Sequence, residues 1–488
     1  MGIVINQSIR NTIITYIGFA IGAANALFMY TNFLGKTYYG LTAFLLSSAN
    51  ILMPLMAFGI HNTLVKFFPT YKTEEQKSQF LTFMLLLPLL LVVPIVVIGF
   101  VFYQKLAATL SAENPIIKDY VWMIPVIGLC MGYFEIFYAW AKVHMLSVFG
   151  TFVKEIFLRM LISSFLIAVF LDYITAIEFV YITVGIYFVT AALMAWYAFH
   201  VRRITFSMIF PTDKKSIVTY SIFIILSGSV AVLLLDIDKF MLGLYINIDN
   251  IAYYSVAIFI ATVVAVPSRA MHQIIYPITA KLMAENKHDE LNALYKKSSV
   301  SLQLVGGYVL LGILVNIHSL YELLPPEYSN GIFVVFAIGA SRYFDLMLGN
   351  NNSIIFNSKY YRMVLFLGLM LAVLAISLNM YFIPRYGIDG AAIATLIAIT
   401  LYTMAKLWFV TVKMNLFPFS IQTVYSLAIL LLGFGIFYFW NFDFHPLIDI
   451  ILKSVLLTIF YITINYKLVI LPEANLLLDK CIMRLRRP

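Results

Sequence analysis

Charge is scarce in this chain. Of its 488 residues only 11% are Asp, Glu, Lys or Arg, 62% are hydrophobic, and the mean hydropathy is +0.93. A soluble fold of this length could not hide so much apolar surface. Cysteine is scarcer still. Cys130 and Cys481 are the only two, and neither has a partner at a disulfide or zinc spacing. No Lys/Arg run is long enough to follow a phosphate backbone, so the net charge of +9 does not signal nucleic-acid binding. The alternating pattern of an outer-membrane barrel is missing. Long polar stretches are missing too. The widest gaps between apolar runs, 67–78, 104–118, 200–217 and 278–299, have no room for a folded extramembrane domain.

What the chain has instead is a succession of apolar runs of ~20 residues, the length that crosses a hydrocarbon core ~30 Å thick. Only helices of this kind satisfy their own backbone in lipid. The pattern predicts an all-α polytopic membrane protein with about fourteen transmembrane helices. Their expected ranges are 11–33, 40–66, 79–103, 119–141, 148–171, 176–199, 218–243, 251–277, 300–320, 330–350, 361–383, 387–410, 420–440 and 447–466. Pro69, Pro115, Pro211, Pro325-Pro326, Pro384 and Pro446 punctuate the gaps. The first run, Asn11 to Asn32, is too long for a signal-peptide core and is expected to remain as a helix. With the N-terminus inside, 21 of the 32 basic residues fall in inner loops, 4 in outer loops and 7 within segments. That bias places both termini in the cytoplasm.

The chain also repeats itself. Tyr133-Phe134-Glu135 returns as Tyr343-Phe344-Asp345, 210 positions later. His61 returns as His272 at an offset of 211, and Glu74-Glu75-Gln76-Lys77 as Glu285-Asn286-Lys287-His288 at the same offset. Phe170-Leu171 is echoed by Phe382-Ile383 at 212. These echoes imply two pseudo-symmetric six-helix bundles, 1–200 and 212–410, joined by the basic stretch His200–Ser216. Two additional helices follow in 411–466, and then a basic cytoplasmic tail, 467–488. An even number of helices per half makes them parallel repeats, an arrangement common in secondary transporters. Leu476–Pro488 has apolar and basic residues at helical spacing and is expected to lie on the anionic inner leaflet.

Leu34-Gly35-Lys36-Thr37-Tyr38-Tyr39-Gly40-Leu41, Asp238-Lys239-Phe240-Met241-Leu242-Gly243 with Ala252-Tyr253-Tyr254, and Arg385-Tyr386-Gly387-Ile388-Asp389-Gly390-Ala391-Ala392 occur in that order. In these motifs and in its twelve-plus-two helix count the chain resembles the polysaccharide flippases of the multidrug/oligosaccharidyl-lipid/polysaccharide exporter superfamily. The resemblance implies two bundles around a cavity that opens to alternate sides. It implies export of an undecaprenyl-pyrophosphate-linked oligosaccharide to the periplasmic leaflet of a bacterial inner membrane. It also implies membrane lipids and a glycan polymerase or ligase as partners, and no nucleic acid. No cofactor, metal or enzymatic step is expected. The chain departs from relatives in two places: the first helix has no acidic residue, and position 61 is His where some members place Arg.

A charge at mid-membrane costs roughly 2.5–3.5 kcal/mol on insertion scales, so such residues line cavities or find partners. Pyrophosphate calls for Arg, whose planar fork stays charged and binds oxygens in pairs. Arg269 and Arg342 are the leading candidates for the phosphate cavity, with Arg159, His272 and His61 beside them. Asp345 stands three residues after Arg342, so an ion pair is the competing reading there. For Arg159 the pair with Glu155, four residues earlier, is favoured. Glu135, Asp345, Asp236, Asp238 and Lys239 are candidates for coupling or gating, although Asp236 and Lys239 are also spaced to pair. His61 and His272 are more commonly helix contacts than sensors. Lys406 and Lys453, near segment ends, are expected to snorkel. Tyr133, Phe134, Tyr343 and Phe344 fit a glycan path, but an interfacial aromatic belt is the commoner arrangement. Asn350-Asn351-Asn352-Ser353 either caps its helix or faces a vestibule.

Two alternatives stay open. A cation-coupled multidrug exporter shares the architecture, although it would usually carry an acid in the first helix. A membrane glycan polymerase or glycosyltransferase would need clustered acids or bases in an outer loop. The widest such loop, 104–118, offers Lys105, Glu113 and Lys118, and the one Asp-x-Asp, Asp236-Ile237-Asp238, lies in an apolar segment.

Overall fold

The structure is a computed structural model and describes residues 2–203, 209–442, 444–472, 475–476 and 479. Every regular element among them is helical. Eight helical stretches are long and apolar enough to cross a membrane, or nine if the bent pair Pro326–Leu346 and Asn351–Asn357 is one span. Two of these stretches are composites. Arg10–Thr70 has 61 residues and Arg362–Met414 has 53. At ~1.5 Å per residue each is more than twice the thickness of a hydrocarbon core. The molecule is therefore a multi-pass membrane protein.

The chain packs into two compact units, Met1–Ser255 with Ala375–Ala391, and Val256–Leu374 with Ala392–Pro488. In the first, α1 (Gly2–Ala24) widens into a π-helical turn, Asn25–Leu34, before α2 (Gly35–Met56) and α3 (Ile60–Phe67). There follow α4 (Glu74–Val101), α5 (Tyr103–Leu110), α6 (Met123–Val143), α7 (Ser147–Phe152), α8 (Leu158–Phe170), α9 (Ala176–Val201) and α10 (Lys214–Tyr245). Local sequence sets the starts of α4 and α9. Thr73 and Gln76 form a capping box at one, and Thr175 and Glu178 at the other. Each box satisfies amide groups that the first helical turn leaves unpaired. α6 packs against both α2 and α9, and α10 lies along α2. α2 also meets the chain just after α10, and that contact needs Gly40: a Cβ there would sit 2.1 Å from the carbonyl oxygen of Ile248. Asn114, buried, clamps the end of α10. Its side-chain amide donates to the Gly243 and Ile246 carbonyls, both at 2.9 Å, and its oxygen accepts the Ile248 amide at 2.7 Å.

α11 (Asp249–Thr262) passes from the first unit into the second. The second unit continues with α12 (Val266–Ala284), α13 (His288–Val315), α14 (Ile317–Glu322), α15 (Ile332–Leu346) and α16 (Asn351–Asn357). The stretch Arg362–Met414 (α17) is broken at Gly387, whose φ of 58° and ψ of −131° suit only a residue without Cβ. The break falls at the Pro384–Gly387 punctuation that the sequence shows. α18 (Ile421–Phe437) and α19 (Pro446–Leu468) complete the chain, with α13 packed on α15 and α18. The expected amphipathic tail, Leu476–Pro488, falls almost wholly outside the described residues, as do residues 204–208 of the linker 200–216.

Candidate functional site

The echoed carboxylates each meet a lysine within their own unit. In the first, Glu135 on α6 accepts from the ammonium of Lys154 at 2.5 Å. His61 on α3 and Lys142 at the end of α6 lie within electrostatic reach of the same carboxylate. In the second, Asp345 on α15 accepts from Lys406 on α17 at 2.7 Å. His272 on α12 and Arg342, one turn earlier on α15, lie within reach of Asp345. Each unit thus gathers a histidine, a carboxylate and a lysine at positions where the sequence echoes only the first two.

The second cluster sits at a bend. α15 and α16 meet at 50°, and the turn between them is held by the asparagine run. The Asn350 amide donates to Thr279 Oγ1 at 2.9 Å, and Asn351 donates to the Tyr295 hydroxyl at 2.6 Å. The Asn352 oxygen lies 3.4 Å from Lys406 Nζ. The run therefore knits α12, α13 and α17 to the bend. Beside it is a small cavity of about 20 Å³ bounded by Ser268, His272, Asp345, Asn352 and Lys406. That is room for one water with several polar partners. Lys406 keeps only 3% of its side-chain surface accessible, against 41% for Asp345. One end of the pair is thus sealed in protein and the other open.

The remaining candidates take different positions. Arg269 on α12 is exposed and has no ion-pair partner among the described residues. Arg159 is paired with Glu155 at 2.9 Å, and its carbonyl accepts from the Asn25 amide at 3.0 Å. Ser163 donates to Asn25 Oδ1 at 2.6 Å, so this group forms a polar seam between the π-helical turn and α8. Asp236 and Lys239 stand 3.9 Å apart. Asp238 is buried and accepts from the Tyr254 hydroxyl at 2.6 Å and the Asn379 amide at 2.7 Å. His61 contacts the Asn62 amide at 3.2 Å. The structure thus brings His61 to Glu135, and His272 and Arg342 to Asp345. It places Arg159 and Asp238 in separate polar networks.

Several expectations need correction. Lys406 and Lys453 do not snorkel. Lys453 is 1% exposed, 2.9 Å from Asp449 and 3.0 Å from Asn441 Oδ1. Burying an ammonium is tolerable when a carboxylate and further acceptors surround it, and both lysines have them. Phe134 and Tyr343 are packed inside their units rather than set in an exposed aromatic belt, while Phe344 is 38% exposed. Sequence reasoning missed Lys154, Asn379 and Asp449. Asp449 had a visible signal, since it stands four residues before Lys453.

Against known proteins, residues 8–283 match the polysaccharide biosynthesis protein family, more than half of the chain. No curated protein sequence matches. Among solved structures the fold is similar to the lipid II flippase MurJ in an inward closed conformation. The TM-score is 0.74 at 14% identity, covering 95% of this chain and 100% of that one. It is also similar to a multidrug resistance MATE family transporter of the MOP superfamily. Its inward-facing form gives a TM-score of 0.61 at 14% identity, with 84% and 98% covered. The outward-facing form gives 0.57 at 14% identity, with 84% and 95% covered.

Proposed function

The chain belongs to the polysaccharide biosynthesis protein family, and from that premise we propose that it flips an undecaprenyl-pyrophosphate-linked oligosaccharide from the cytoplasmic to the periplasmic leaflet by alternating access. The family match over residues 8–283 carries this reading. The fold shared with a lipid II flippase supports a lipid-linked cargo. The membrane is the bacterial inner membrane, with both termini in the cytoplasm, as the skew of basic residues toward alternate loops suggests. A glycan polymerase or ligase takes over the exported headgroup. Family and fold are those of transporters, and the bond chemistry belongs to those partners.

In this reading the exposed Arg269 guanidinium meets the pyrophosphate, because no carboxylate among the described residues neutralises it. Arg342 assists from α15, and its interaction with Asp345 holds it in place until the phosphate arrives. The carboxylate clusters at Glu135 and Asp345 serve coupling or gating. Depleting the protein tests the cargo: mass spectrometry of undecaprenyl-linked lipids should show one precursor accumulating, and that glycan names the substrate. Arg269→Ala should leave an inserted protein with lost surface glycan. Unchanged lipid-linked precursors together with retention of an amphipathic dye would instead establish the multidrug-exporter alternative.

A further inference from the structure

We propose that the basic end of the second unit carries an anion site for a phosphate-bearing ligand, in the pocket enclosed by the α12–α13, α16–α17 and α17–α18 connections. The pocket has a volume of about 550 Å³, within the roughly 300–1,000 Å³ usual for small-molecule sites. Its construction follows from three chain reversals at one end of the unit. Asn286 and Asn415 adopt left-handed backbone conformations, φ 54° and 55°, which stop α12 and α17 and turn the chain back beside the opening. The floor is apolar and fixed. Leu291 belongs to a buried cluster with Tyr295, Ile355 and Phe409, and Tyr360 stands edge-on to Phe409 at 5.5 Å.

The rim has one sign of charge. Lys287, Lys359 and Lys413 line it, and among the described residues no carboxylate does. The three lysines are not equivalent. Lys287 is held by Glu285 at 3.2 Å and Glu290 at 3.3 Å, and these bonds push its pKa up. Lys359 rests over the Tyr360 ring at 5.2 Å, and Lys413 has no ion-pair partner among the described residues. Two ammonium groups facing one concavity repel each other unless an anion lies between them. A phosphate, with several acceptor oxygens, satisfies both through charge-assisted hydrogen bonds. The Asn286 and Asn415 side-chain amides add neutral donors. The volume left beside a phosphate accommodates a compact polar group over the Leu291–Tyr360 floor. This chemistry fits a soluble sugar or nucleoside phosphate, or the headgroup of an anionic phospholipid. The site uses neither Arg269 nor Arg342 and stands independently of the flipping reading.

The test uses the full chain in nanodiscs, comparing wild type, Lys359→Ala/Lys413→Ala, and a control, Lys72→Ala/Lys215→Ala, that removes the same charge from exposed positions in the first unit. Calorimetric titration with inorganic pyrophosphate in phosphatidylcholine discs reads the soluble source. Native mass spectrometry of protein from phosphatidylglycerol discs reads the lipid source. Pyrophosphate binding weakened at least tenfold in the pocket variant and preserved in the control supports a soluble phosphate ligand. A phosphatidylglycerol molecule retained by wild type and control but lost from the pocket variant supports a lipid headgroup. If the pocket variant matches wild type and control in both readings, the site is overturned. All the substituted lysines are exposed, so the three proteins should be equally monodisperse.

Discussion

Removing Lys453 should unfold the second unit at a markedly lower temperature. Its side chain is 1% exposed and its ammonium lies 2.9 Å from Asp449, whose side chain is 7% exposed. Asp449 also accepts from the Ser319 hydroxyl and the Phe442 amide. Lys453→Met keeps the bulk but leaves a buried carboxylate without its cation, which costs about 3–5 kcal/mol. For a cooperative unit of roughly 150–250 residues, a loss near 4 kcal/mol lowers Tm by roughly 8–16 °C. Asp449→Asn/Lys453→Met removes both charges and keeps an oxygen for Ser319, so it should lie within about 1 kcal/mol of wild type, as neutral replacements of buried pairs often do. The assay is thermal unfolding of the purified protein in detergent, followed by loss of the monodisperse chromatographic peak. Asp449→Asn alone completes, with these two variants and wild type, a cycle that isolates the pair. If Lys453→Met melts within about 2 °C of wild type, or if the double variant is no more stable than the single one, the pair does not hold the unit as argued.

Gly40→Ala should destabilise the first unit by roughly 1–3 kcal/mol, because its Cβ would meet the Ile248 carbonyl oxygen at 2.1 Å; the same unfolding assay reads it. Asn114→Ala leaves buried backbone groups at Gly243, Ile246 and Ile248 without partners, and should cost about 1–3 kcal/mol or more and speed proteolysis between α10 and α11. Glu74→Gln breaks an exposed contact with Arg202 and should change stability by less than about 1 kcal/mol in a denaturation midpoint. Burial and the hydrogen bond to Asp213 raise the pKa of Tyr71, which lies between α3 and α4. Its contribution is therefore complete below the unfolded phenol pKa of about 10 and is lost as pH climbs toward the higher folded value. Wild type and Tyr71→Phe should accordingly show a constant Tm difference from pH 7 to about 9 that narrows above about 10.

The membrane class was legible because hydropathy is summed over whole segments and survives errors at single residues. The break at Gly387 was legible because proline and glycine act locally. The same holds for close polar pairs: Glu155 with Arg159, and Asp236 with Lys239, are spaced for one helix face and are found together. Partners supplied by another helix were not legible. Lys154 reaches Glu135 across a helix–helix packing, and Lys406 reaches Asp345 from 61 positions away. Position near a segment end made Lys406 look like a snorkelling residue, but the neighbours that seal it come from α15 and α16, which no spacing rule connects to it. Asp238 shows the same limit. Its bond to Asn379 joins α10 to α17 over 141 residues.

The mismatch between the two lysines has a consequence for engineering. Lys154 lies in the π-helical stretch Val153–Phe157 between α7 and α8, 19 positions after Glu135, whereas Lys406 lies in α17, 61 positions after Asp345. The two carboxylates therefore draw their counter-ions from different kinds of element, one from a nearby π-helical turn and one from a distant helix. A synthetic chain carrying two copies of the Glu135–Lys154 stretch would duplicate the short-range pair but would lack the sealed ammonium beside the asparagine bend. The two clusters are therefore not interchangeable parts, and a graft of either carboxylate into the other setting would have to bring its own lysine.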